Sequence, residues 1–60
     1  MSAVQGYLVI NRGPDGRVAE VFWPQFEGRL YTEAEARESA EQDNSRGDRY
    51  RSEVVAVMVP

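Results

Sequence analysis

The sequence predicts an α+β domain: a three-stranded antiparallel sheet in the order 2-1-3 with one helix packed on one face, β-β-α-β along the chain. Three observations predict it. Two apolar, β-branched runs, Tyr7–Ile10 and Val54–Val59, stand near the two ends of the chain. A Gly13-Pro14-Asp15-Gly16 turn follows the first run and sends the chain back. A Thr32-Glu33-Ala34-Glu35 start opens the one stretch with helical character. Sixty residues make one small domain, residues 1–60.

The elements follow in order. Met1–Gln5 is a lead-in, and the first strand spans about Ala3 to Asn11. Tyr7-Leu8-Val9-Ile10 has no polar face, which suits a strand with neighbours on both edges and cover on both faces. At the turn, Pro14 presets φ for the second position, the Asp15 carboxylate can accept from nearby backbone, and Gly16 accepts a positive φ. A hairpin with a bulge at Gly16 is expected. Arg17 to Trp23 forms the return strand, with Val18, Glu20 and Phe22 on one side and Arg17, Ala19, Val21 and Trp23 on the other. Pro24 lacks an N–H and ends it. A loop through Phe26 and Gly28 leads to Arg29-Leu30-Tyr31, which can add a short strand.

Thr32 and Glu35 have the spacing of a capping box, in which each side chain bonds the other's backbone amide. The helix is expected from Glu33 to about Asp43 or Asn44. Its buried stripe would be Ala36, Ser39 and Ala40, with Asp43 at the margin. These side chains are small, so the helix can lie close to the sheet. The bulk beneath it is assigned to Tyr7, Val9, Val21, Trp23 and Tyr50. Asn44 or Gly47, in the turn 44–48, supplies the left-handed residue that stops the helix. The last strand runs from Tyr50 to Val59. An 11-residue helix spans roughly 16 Å, enough to return the chain along the sheet. A right-handed crossover then sets the last strand beside the first, away from the second.

Composition restricts the chemistry. The chain carries seven basic residues, all Arg, against ten acids, a net charge of −3, with neither Cys nor His. Disulfides and thiolate metal sites are excluded, and the usual metal ligand and near-neutral general base are missing. Ser2, Ser39, Ser45 and Ser52 have no His or Lys partner. No catalytic residue, no metal site and no cofactor is therefore expected, and the chain reads as a non-enzyme. The acidic balance argues against a dedicated nucleic-acid binder. No apolar run is long enough for a membrane span, and no basic region precedes a long apolar core at the N-terminus, so a cytoplasmic protein is expected. The all-Arg basic set, with abundant Ala, Glu, Gly and Val, is the residue usage of a GC-rich genome such as an actinobacterium or one of its phages.

Small folds without disulfide or metal are commonly completed by a partner chain. A homodimer is expected on that ground and on the last strand. Val55, Val57 and Val59 share a side with Leu8 and Ile10, which the single helix cannot cover. Phe22, Trp23 and Phe26 place three aromatics in five residues, more than an alanine-faced helix can bury, and exposed aromatics mark interfaces. Phe22, Trp23, Phe26, Val55, Val57 and Val59 are thus the candidate interface residues. Arg46, Arg49 and Arg51 around Tyr50 form a candidate anion contact. Glu27 and the acids of the helix form an acidic surface, which a basic partner or a nucleic-acid mimic could use.

Pro24, Gly28, Thr32, Glu35, Ala36 and Ala40 also carry a resemblance. A strand ending in Pro, a Gly-containing loop, a Thr-started helix with a Glu-Ala-x-x-x-Ala pattern and a following strand resemble HicB-type antitoxin domains over about 25 residues. Leu30-Tyr31-Thr32 stands where that family has Gly-Asp-Thr. The pattern is also similar to small phage and actinobacterial proteins of unassigned activity. The resemblance implies a partner-binding module and, as an alternative function, an antitoxin-like inhibitor of a small toxin. Nucleic-acid binding or mimicry is the second alternative to an accessory protein that dimerises and binds another protein.

Overall fold

A computed structural model describes residues 3–47 and 49–60. Met1 and Ser2 of the lead-in, and Asp48 of the predicted 44–48 turn, lie outside the described residues. The elements are β1 (Ala3–Arg12), β2 (Val18–Phe22), a 3-10 turn (Gln25–Glu27), α1 (Glu33–Asn44) and β3 (Arg51–Val59). The sheet is antiparallel in the order β2-β1-β3, and α1 packs on β1 and β3. The expected architecture is the observed one. Among the described residues, no helix is long and apolar enough to cross a membrane.

The hairpin forms as its sequence dictates. The Gly16 amide donates to the Gly13 carbonyl at 2.9 Å, and Gly16 takes a φ of 81°. Asp15 Oδ1 accepts from the Arg17 amide at 3.0 Å. Between Asn11 and Arg12 the register shifts, so that Arg12 faces Val18 while Asn11 faces Glu20. Beyond β2, the chain returns to β1 through Tyr31. The Tyr7 and Tyr31 backbones exchange two 2.9 Å hydrogen bonds, and this extends the β2 side of β1 by one residue pair.

The helix starts at a complete capping box. The Glu35 amide donates to Thr32 Oγ1 at 3.2 Å and the Thr32 amide donates to Glu35 Oε1 at 3.0 Å. At the far end Gly47 takes a φ of 69° after the last turn. Asn44 stays helical and bonds β3 instead: its Oδ1 accepts from the Ser52 amide at 2.9 Å, and its Nδ2 donates to the Ser52 carbonyl at 3.1 Å.

The core between helix and sheet is small. Val9, Ala36 and Ala40 are buried, with Tyr7, Phe22, Tyr31 and Val54 packed round them. This corrects the expected core in three places. Val21 and Trp23 lie on the other face of the sheet, and Tyr50 is exposed. The register explains it: Val9 pairs with Phe22 and Val54, whereas Ile10 pairs with Val21. Cross-strand partners share a face, so Phe22 follows Val9 toward the helix and Val21 follows Ile10 away from it. Tyr50 precedes β3, which begins at Arg51.

Candidate interaction face

The sheet has two faces and one helix. On the covered face the pairs around Val9 meet Ala36 and Ala40. On the other face Leu8 pairs with Val55, Ile10 with Val21, and Gly6 with Val57. Leu8, Ile10, Val55 and Val57 are half-buried, and Val21 and Trp23 are exposed. No second helix or sheet lies over them among the described residues. The result is a contiguous apolar face open to solvent, of the kind that marks an interaction site.

One end of this face is shaped. Trp23, Leu30 and Val57, with Gln5, Gly28 and Arg29, line a shallow depression of about 530 Å³. Leu30 reaches it because Tyr31 is pinned to Tyr7, which brings Leu30 over Gly6. An ideal Cβ on Gly6 would lie 2.5 Å from Leu30 Cβ, so the approach requires glycine. Arg29, at the rim, is held by two carboxylates. It donates to Glu35 at 2.8 and 3.0 Å and to Glu27 at 3.1 Å. Bonds from Arg29, then from the Thr32 amide, lower the Glu35 pKa to about 2, and Glu35 raises that of Arg29 in turn. The same carboxylate therefore closes the helix cap and fixes a rim cation.

The six candidate interface residues separate into groups. Trp23 and Val57 meet at the depression. Val55 lies further along the same face, opposite Leu8, and Val59 is near the end of β3. Phe26 is fully exposed, at 100%, on the 3-10 turn. Phe22 is corrected: it is half-buried against the helix side of the sheet, for the register reason given above. Leu30 was missed. Its signal would have been Gly6, a glycine inside a strand next to the apolar run Tyr7–Ile10, which marks close approach of another chain segment.

The arginines are placed less favourably for an anion. Arg46 and Tyr50 line a second depression of about 400 Å³ together with Glu20 and Asp43. Two carboxylates against one guanidinium leave that hollow with a negative balance. Arg51 pairs across the sheet with Arg12, and Arg12 bonds Glu53 at 3.2 Å and the Gly16 carbonyl at 2.8 Å. Arg49 is exposed on the turn before β3. Of the helix acids, Glu33 accepts from the Tyr7 hydroxyl at 2.9 Å and pairs with Arg37 at 2.6 Å. The hydrogen bond to Glu33, followed by desolvation, raises the Tyr7 pKa. Glu27, Glu33 and Glu35 are thus occupied within the fold, while Glu38 and Glu41 face solvent.

No protein-family model matches the chain, and no curated protein or solved structure matches it.

Proposed function

We propose that this chain is a non-catalytic accessory protein that forms a homodimer and binds another protein through the uncovered sheet face. The observation that carries the reading is the one-sided cover: α1 protects the Val9 face, while among the described residues no second layer lies over Leu8, Ile10, Val21, Val55 and Val57. Trp23 at the depression and Phe26 on the neighbouring turn add the large exposed aromatics that anchor protein interfaces. A cytoplasmic setting in a bacterium or phage belongs to the same reading. A second reading, an antitoxin-like inhibitor, draws on the β-β-α-β order with its Thr32-started helix, and differs only in the partner, a small toxin.

Val57→Arg tests the proposal. Val57 pairs with Gly6 on the face away from the helix, so the variant keeps its fold while the face becomes charged. Pull-down of host proteins by the wild type, with loss of the same protein by Val57→Arg, is the expected result. Unfolding of Val57→Arg would place Val57 in the core and remove the interaction face. A monodisperse wild-type monomer by sedimentation at high micromolar concentration would remove the homodimer.

A further inference from the structure

We propose that two copies of this chain join edge to edge through β3, antiparallel, about a two-fold axis at Ala56. The inference rests on the homodimer reading and specifies its geometry.

The argument is one of backbone parity. In an antiparallel sheet each residue directs its N–H and C=O to the same edge, and successive residues alternate. Tyr7 spends both groups on Tyr31, on the β2 side of β1. Gly6 and Leu8 therefore bond toward β3, and their partners Val57 and Val55 bond back toward β1. The residues between them, Val54, Ala56 and Met58, direct both groups outward. Ser52 has the same parity and confirms the phase: its N–H and C=O both bond the Asn44 side chain, beyond the edge of the sheet.

Asn44 thus acts as a one-residue surrogate strand. It caps the β3 edge at Ser52 and leaves three consecutive outward positions, Val54, Ala56 and Met58. Their groups have no strand beside them, because β3 is an edge. Proteins usually blunt such an edge with charge, Pro or a bulge. From Val54 to Val59 the edge has none of these on its own strand; the register shift there belongs to β1, between Val4 and Gly6. The other edge, β2, is only five residues long and runs into Trp23-Pro24.

A second copy of β3 fits this edge in one register best. With the axis at Ala56, Val54 pairs with Met58 of the second copy, Ala56 with Ala56, and Met58 with Val54. Every open position is matched to an open position, two hydrogen bonds to each pair. Glu53 falls opposite Val59, so no like charges meet. The pairing ends at Val59, because Asn44 fills the place beside Ser52; Pro60, which has no N–H, loses no bond by turning away there. Moving the axis to Val55 sets Met58 against Ser52, whose groups Asn44 holds. Moving it to Val57 sets Val54 against Pro60. Both lose bonds. The Ala56 arrangement gives a continuous six-stranded sheet with both helices on one side and both apolar faces merged on the other.

The two Ala56 residues are directly opposite in this dimer, and like charges placed there destabilise the pair. Ala56 is exposed in the single chain, so the position accepts a charged side chain. Ala56→Glu and Ala56→Lys are each expected to sediment as monomers with the wild-type circular dichroism spectrum. An equimolar mixture is expected to sediment at twice the mass, which also shows that both variants are folded. Val57→Arg, on the merged face and not at the edge, is expected to stay dimeric. Dimeric Ala56→Glu beside monomeric Val57→Arg would overturn edge pairing in favour of face packing, with the homodimer itself intact. A mixture of Ala56→Glu and Ala56→Lys that remains monomeric would overturn the Ala56 axis. A monomeric wild type would overturn the homodimer reading as well.

Discussion

Gly6→Ala is a small change with a large expected effect. An ideal Cβ at position 6 lies 2.5 Å from Leu30 Cβ, 3.0 Å from its Cδ1 and 3.3 Å from its Cγ. Ordinary contact begins at 3.4 Å, so the nearest pair is short by about 0.9 Å, the difference of the two distances. The obstructing atom is a Cβ, so rotating the Leu30 side chain does not clear it. Either the Leu30 backbone or β1 has to move, and Tyr31 is tied to Tyr7 by two 2.9 Å hydrogen bonds. Overpacking of this kind costs about 1–3 kcal/mol. Reduced freedom of the unfolded chain returns about 0.4–1 kcal/mol, because no positive φ is needed at position 6. The net loss is about 1–2 kcal/mol. For a domain this size each kcal/mol lowers Tm by about 4–8 °C. Thermal melts followed by circular dichroism at fixed concentration measure it. Leu30→Gly removes the obstructing Cβ, so in that background Gly6→Ala should cost nothing or stabilise. An unchanged or higher Tm for Gly6→Ala alone, or an equal loss in both backgrounds, would refute the close-approach argument.

Three further outcomes follow from the same geometry. Val9 is fully buried, and Val9→Ala removes two methylene equivalents at about 0.8 kcal/mol each plus a cavity cost, about 2–3 kcal/mol in all. Since a core of this size supplies only about 3–5 kcal/mol, at most about 3 kcal/mol remains, and the urea midpoint of the variant should fall by about half or more. Thr32→Ala removes the hydroxyl that caps the Glu35 amide and should cost about 1 kcal/mol, read as a lower urea midpoint at unchanged slope. The folded-state pKa of Glu35 is lowered from 4.5 to about 2 by Arg29 and the Thr32 amide. Its contribution is therefore full above pH 4.5 and lost as pH falls toward 2; acid unfolding in that window should be weaker in Glu35→Gln, and equal pH profiles would sink the assignment.

The parts of this fold that follow from local chemistry were legible. Pro14, Asp15 and Gly16 specify the turn, Thr32 and Glu35 specify the helix start, and the unbroken apolar run at Tyr7–Ile10 specifies the central strand. What depends on register was not. A strand's pattern gives two alternating sets, and in β2 both sets are mixed, so nothing local says whether Phe22 or Val21 goes under the helix. The register shift at Arg12 and Val18 decides it. The apolar outer face, with Val55 and Val57 beside Leu8 and Ile10, was readable because one helix can cover only one side. The Leu30–Gly6 approach and the Asn44–Ser52 pair were not, since each joins segments whose proximity only the completed fold sets.

The two faces of the sheet are unequal in a way that ties stability to assembly. Among the described residues, Val9 is the one large, fully buried side chain under the helix, and the buried side chains of the helix are the small Ala36 and Ala40. The other face carries Leu8, Ile10, Val21, Val55 and Val57, and their solvent-exposed area contributes nothing to holding a single chain together. With neither disulfide nor metal ligand of the Cys or His type, the chain has no covalent or thiolate staple to compensate. A partner that binds only the folded form stabilises it by mass action, and for self-association the partner concentration is the chain concentration. The Tm of the wild type should therefore rise as chain concentration rises through the dimerisation range. That of the Ala56→Glu monomer should be lower and flat across the same range. A wild-type Tm independent of concentration while the dimer fraction at room temperature changes would show that the dimer comes apart before the chain unfolds, and that the helix-covered layer alone sets the melting point.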